Sequence, residues 1–178
     1  MPAARRLATI AAAIDRLTAT VGRAVTWCLL AMVLVQVAVV LMRYVLGLGS
    51  IWLTEAIVYA HAALFMAAAA WTLQRGGHVR VDIFYAAAAP RTRALVDLLG
   101  ALLLLLPFVA VLAWLSLPYV GRSWAILEGS RETSGLPLVF GLKTLIPLFA
   151  ILLGLQGLAQ AARAWLVLVG APPAEPGH

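Results

Sequence analysis

The residues able to do chemistry in this chain are few, and they fall into two groups. Arg43, Glu55, His61, Gln36 and Gln156 are set inside long apolar runs, while His78, Arg80 and Asp82 occupy a polar break between two such runs. A charge at the centre of a bilayer costs about 2.5–3.5 kcal/mol on insertion scales, so each buried one needs a reason. Glu55 and Arg43 sit at similar depth on either side of a short turn. Two readings suit them: a salt bridge or snorkelling pair that locks a helical hairpin, or a contact to a partner subunit. His61 falls about ten residues into its run, near mid-bilayer at about 1.5 Å per residue. Haem ligation across a bundle would want a second midplane histidine, yet His78 is in a loop and His178 is the last residue. An interhelical hydrogen bond is the expected role of His61, and of Gln36 and Gln156.

The polar break, Leu73–Pro90, reads LQRGGHVRVDIFYAAAAP. Its paired glycines, Gly76 and Gly77, should end a helix, because glycine reaches positive φ without steric cost. His78, Arg80 and Asp82 then alternate with Val79, Val81 and Ile83. That pattern predicts polar contacts from Arg80 and Asp82, with the apolar set turned to lipid or protein.

The elements that must position these residues are membrane spans. The 178 residues are 64% hydrophobic and 11% charged, with mean hydropathy +1.01. Soluble domains carry about 25% charged residues. A helix needs about 20 apolar residues to cross a core of about 30 Å, and four runs qualify: about 24–46, 51–73, 94–119 and 145–169. The expected fold is all-α, with four transmembrane helices forming one membrane domain over 24–169 and a short tail at 170–178. Ahead of it, Leu7, Ile10, Ile14, Leu17 and Val21 recur at helical spacing among Arg5, Arg6, Arg16 and Arg23. Residues 1–23 therefore predict a basic amphipathic helix in the headgroup plane, uncleaved, since no small-residue processing site follows the apolar run. Pro107 and Pro147 predict kinks in the last two spans.

Orientation follows from basic residues. Arg5, Arg6, Arg16, Arg23, Arg75, Arg80, Arg91, Arg93 and Arg163 lie on one side of the spans, against Arg43, Arg122, Arg131 and Lys143 on the other. Positive charge stays in the cytoplasm, so both termini and Leu73–Pro90 are expected there. Trp27, Trp71 and Trp165 near inner ends, and Trp52 and Trp124 near outer ones, match interfacial belts. The net charge of +6 is dispersed around apolar runs, which argues against nucleic acid. One cysteine, Cys28, excludes a disulfide framework. No phosphate-binding loop, zinc-type cluster or nucleophile–base pairing is present, so no enzyme, cofactor or metal site is expected. Repeated halves with a broken-helix midplane site are also missing.

The small residues Ala56, Ala60, Ala63, Ala67 and Ala70, and later Gly154, Gly157 and Ala161, offer close-packing faces. Whether they pack within the bundle or against another protein is open at this level. The longest outer segment, Val120–Thr144, carries a turn at Ser134-Gly135-Leu136-Pro137, with Glu128, Arg131 and Glu132 expected to face solvent and Trp124 at the interface.

Several of these passages together resemble a known family. They are Arg43-Tyr44 closing the first span, Trp52 and Glu55 opening the second, and Gly77-His78-Val79-Arg80-Val81-Asp82 after it. Ser123-Trp124, Glu128, Gly135-Leu136-Pro137, Lys143 with Ile146-Pro147, and Leu155-Gln156-Gly157 follow. The pattern, from about Thr26 to Trp165, is similar to the small permease subunit (DctQ type) of tripartite ATP-independent periplasmic (TRAP) transporters. Here Glu55 is followed by Ala56, where many relatives have a second acid or a leucine. The resemblance implies an inner-membrane, non-catalytic subunit that braces a large permease subunit and helps dock a periplasmic solute-binding protein for sodium-driven uptake of an organic acid. It implies subunit-interface or structural roles for Arg43, Trp52, Glu55, Gly77, His78, Arg80, Asp82 and Gln156. It further implies periplasmic-loop contacts at Trp124, Glu128, Leu136, Pro137 and Lys143. The competing expectations are a haem- or quinone-associated membrane anchor of a redox complex and an autonomous small carrier.

Overall fold

A computed structural model describes residues 2–78 and 85–170. Four helices follow one another: α1, Pro2–Val45; α2, Ile51–Gln74; α3, Pro90–Ala125; and α4, Val139–Leu168. Each is long and apolar enough to cross a membrane. The start of α1, the end of α2, the start of α3 and the end of α4 lie at one end of the bundle, called the terminal end here. The α1–α2 turn and the α3–α4 segment lie at the other, the loop end.

The boundary expected near residue 23 is not a break, because α1 runs straight through it for 44 residues. At about 1.5 Å per residue this is about 66 Å, twice the hydrocarbon core. Its first half packs rather than standing apart: Ala11, Thr18 and Gly22 are buried. Trp71 of α2 stands so close to Gly22 that a β-carbon there would come within 2.5 Å of its indole. Of the stripe expected to anchor this segment, Leu7, Ile10 and Leu17 remain exposed, while Ile14 and Val21 are half-buried and Val21 packs against Ala67, Ala70 and Leu152. Small residues win the contact because they let backbones approach where lipid supplies no hydrophobic force. Further along, Val25, Cys28, Met32, Val35, Val39 and Met42 are the half-buried positions of α1. Their alternating three- and four-residue steps are those of a left-handed coiled-coil seam.

α2 begins at Ser50, whose side chain accepts from Leu53 N–H at 3.3 Å, an N-cap that satisfies one orphan donor. It ends as the glycines predict. Gly76 takes φ +65°, its N–H bonds to Leu73 O, and Gly77 N–H reaches back to Thr72 O. This paired closure needs a left-handed residue after the cap.

α3 starts earlier and ends later than the expected 94–119. Within it, Ala101–Leu105 form one π turn, closed by Leu106 N–H on Ala101 O. The wide turn sits directly before Pro107, whose ring would otherwise meet the carbonyl four residues back. α4 starts six residues before the expected 145 and is the centre of the molecule. Pro147, Leu152, Leu153, Gln156 and Leu166 are among its buried residues, and α1, α2 and α3 all pack on it. The small-residue faces are spent inside the bundle. Ala67 and Ala70 meet Leu152, Gly154 meets Val109, and Gly157 meets Leu105.

The molecule is thus two helical hairpins, α1–α2 and α3–α4, joined along α4. The outward faces of α1 and α3 are large and apolar, suited to lipid or to another membrane protein.

Candidate functional site

Two carboxylates, one at each end, tie the hairpins together. At the terminal end Asp15 of α1 accepts from Gln156 Nε2 at 2.9 Å and from Arg163 Nη1 at 2.7 Å, both on α4. Gln156 and Arg163 are seven residues apart, two helical turns, so both reach one acid lying between them. Gln74 of α2 donates to the Asp15 carbonyl at 3.1 Å. Gln156 is fully buried, and its expected interhelical hydrogen bond is formed.

At the loop end Glu55, in the second turn of α2, reaches the α3–α4 segment. One carboxylate oxygen accepts from the Ser130 hydroxyl, and the other accepts from Leu136 N–H at 2.6 Å. Ser130 N–H bonds to Leu136 O, and Glu132 N–H donates to Ser130 Oγ. Gly135 leaves room for this arrangement: a β-carbon would stand 2.2 Å from Ser130 Oγ and 2.7 Å from Glu55 Oε2, so both side chains would have to shift. The expected Ser-Gly-Leu-Pro turn is therefore the socket of Glu55, with Leu136 buried and Pro137 exposed beside it. The anticipated Arg43–Glu55 pair does not form. Arg43 is exposed, while Glu55 has the loop as its partner, which supplies two charge-assisted bonds in fixed geometry.

A third acid closes the loop onto α4. Glu128, expected in solvent, instead accepts from Ser123 Oγ at 2.7 Å and from Lys143 Nζ. The Lys143 bond, then the Ser123 bond, holds its carboxyl below the usual carboxylate value. Lys143 also lies over the Tyr119 ring at 4.3 Å. Trp124 donates to Thr144 Oγ1 at 2.9 Å and meets Phe140 edge-on. Arg131 and Glu132 are exposed as expected.

The turn out of α3 is unusual. Leu127 takes φ 45°, its N–H bonding to Trp124 O and that of Glu128 to Ser123 O. This is the same paired closure that Gly76 makes, with a leucine in the left-handed position. A left-handed leucine costs about 1–2 kcal/mol, yet its side chain, with Ile126, is exposed.

Other expected residues do not join these clusters. Trp52 is half exposed at the start of α2. His78 is exposed next to Gly77. Arg80 and Asp82, with Val79, Val81 and Ile83, lie outside the described residues. His61 and Gln36 are exposed and make no hydrogen bond, contrary to the interhelical bonds expected of them. Sequence reasoning missed Asp15, Arg163, Ser123 and Ser130 as partners. The available signal was the lone acid among the basic residues of the first segment, matched by a glutamine and an arginine two turns apart.

No group of histidine, cysteine or acidic side chains able to hold a metal occurs among the described residues. A shallow cavity of about 290 Å³ opens between α3 and α4 at the terminal end, lined by Arg93, Asp97, Gln160 and Arg163 among others.

Four spans, stapled at both ends and built around one packed helix, define a multi-pass helical membrane protein. Residues 32–167 match the family described as "Tripartite ATP-independent periplasmic transporters, DctQ component". The chain belongs to that family: it is a small permease subunit of a TRAP transporter, a multi-pass inner-membrane protein and not an enzyme. No curated protein and no solved structure matches it.

Proposed function

We propose that this subunit acts as a rigid brace. It holds the static part of a large permease subunit in the bilayer and presents its loop end to a periplasmic solute-binding protein, in sodium-driven uptake of an organic acid. Both termini are then cytoplasmic, as the distribution of basic residues favours, and the α3–α4 segment is periplasmic. The basic first segment, residues 1–23, belongs to the cytoplasmic side.

The observation that carries this reading is the socket of Glu55. A loop that only connected two spans would need no such fixing. This one is tied to the opposite hairpin by a carboxylate and to α4 by Glu128 and Lys143, around a glycine whose place a larger residue could take only by displacing Ser130 and Glu55. It holds Ile126 and Leu127 outward at a backbone cost, which suits a surface made to be touched. Trp124, Leu136, Pro137, Glu128 and Lys143 form the frame of that surface rather than its contact points.

The test is uptake in proteoliposomes holding the large permease subunit, with solute-binding protein outside and an inward sodium gradient, with and without this chain. Uptake that requires the chain supports the brace. Uptake at the same rate without it, or transport by this chain alone, refutes it.

A further inference from the structure

Polar side chains inside the spans divide sharply by how they are satisfied. Thr26, Thr72 and Ser116 close onto carbonyls of their own helices. Glu55, Gln74 and Gln156 are taken up by the staples. Thr18 Oγ1, Tyr59 Oη and Trp71 Nε1 are unpaired but enclosed by the bundle, whereas Gln36 and His61 are unpaired and face outward. Both are exposed, without a hydrogen bond, on the α1–α2 hairpin. Gln36 lies nine residues below the loop end of α1 at Val45, and His61 ten residues along α2 from Ile51. At about 1.5 Å per residue, both are about 14–15 Å in, halfway through a core of about 30 Å.

Each heads a short polar track. Arg43 stands two turns from Gln36 on the same side of α1, and Thr54 stands two turns from His61 on α2. The outward face of α3 at the same depth is different in kind. Val111, Trp114 and Leu115 are exposed there, with Leu103 and Leu104 continuing the same apolar face toward the terminal end, and lipid tails solvate them without loss. An amide or an imidazole facing hydrocarbon finds no partner.

We propose that the outward side of the α1–α2 hairpin around Gln36 and His61 is the intramembrane contact with the large permease subunit. That subunit presents hydrogen-bonding groups at mid-bilayer: side-chain amides, hydroxyls or carbonyls freed by a broken helix. α3 is the lipid-facing flank. The inference rests on the brace reading above and adds which face binds and through what chemistry. Polar side chains specify such contacts because the apolar surfaces of both proteins are no better matched to each other than to lipid.

The experiment measures association of the labelled chain with its cognate large permease subunit in liposomes, by energy transfer titrated against lipid dilution. The variants are Gln36→Leu, His61→Leu and the double, with Leu104→Ala and Trp114→Leu on α3 as controls. Intramembrane hydrogen bonds of average strength predict association weaker by about threefold for each single variant and about eightfold for the double. The α3 controls should bind as wild type. Unfolding of the isolated chain should change little in the Gln36 and His61 variants, since both side chains are exposed and without a hydrogen bond. Wild-type association of a folded double variant overturns the inference and leaves the brace intact. Loss of self-association in the double variant, with permease binding unaltered, assigns the face to a second copy and overturns it too. Failure of the wild-type chain to bind the permease at all defeats the brace reading itself.

Discussion

Replacing Asp15 by alanine removes the acceptor on which the terminal-end staple depends, and its cost can be worked from the geometry. Gln156 Nε2 is fully buried and loses its partner; a buried donor left unsatisfied costs about 1–3 kcal/mol. Arg163 loses its ion pair, but its side chain is 34% exposed and that of Asp15 24%. Its share is therefore close to the surface value of about 0–1 kcal/mol, well short of the 3–5 kcal/mol of a sealed pair, also approximate. The Gln74 bond uses the backbone carbonyl and survives. The sum is about 1–4 kcal/mol for Asp15→Ala. Asp15→Asn keeps an acceptor for Gln156 and should cost about 1 kcal/mol. Adding Gln156→Leu to Asp15→Ala removes the orphan as well as its partner, so the double variant should recover part of the loss. Reversible unfolding in bicelles, followed by steric trapping, measures all three. An Asp15→Ala chain within about 0.5 kcal/mol of wild type, or a double variant as unstable as the summed singles, refutes the argument.

The remaining expectations concern the packing and the loop end. Gly22→Ala drives a β-carbon to 2.5 Å from the Trp71 ring and should destabilise the α1–α2 pair by about 1–3 kcal/mol in the same assay, a cost that Trp71→Ala relieves in part. Gly135→Ala pushes on Ser130 and Glu55 together, so limited proteolysis should cut the α3–α4 segment faster while the spans stay protected. Leu127→Gly removes the left-handed strain and should leave folding unharmed or improved, but it should weaken capture of the solute-binding protein in a pull-down. Glu128 has its pKa lowered by Lys143 and Ser123, so its contribution is complete above the ordinary carboxylate value. It is lost as pH falls below that value and through the depressed one. Hydrogen exchange in the loop should therefore be flat near neutrality and rise only on acidification, and Glu128→Gln should abolish that rise.

Much of the architecture was legible because bilayer thickness dictates it: a run of apolar residues such as Ile51–Leu73 has few alternatives to a spanning helix. The Gly76–Gly77 closure was legible because only one backbone region satisfies it. The partners of Glu55 were not. They sit 75 and 81 positions away, and nearness along the chain made Arg43 the more obvious choice. Asp15 drew no role of its own among the arginines of the first segment. Its role depends on α1 continuing unbroken toward the terminus alongside α4, which an amphipathic reading of the first segment hid. The large apolar residues of that segment suggested its contact face, whereas Ala11, Thr18 and Gly22 supply most of it and only Val21 of the larger set packs on the core. His61 and Gln36 were expected to look inward because polar groups in membranes usually find helix neighbours. Their neighbours are not in this chain.

The central claim is that this subunit stays still while its partner moves solute. Spin labels at the exposed positions Leu34 on α1 and Leu104 on α3 span the two hairpins. Their separation in the assembled transporter is measured by pulsed electron resonance without ligands, with sodium, and with sodium plus loaded binding protein. A single unchanged distance in all three conditions is the predicted result; a second distance that grows with sodium or substrate contradicts it.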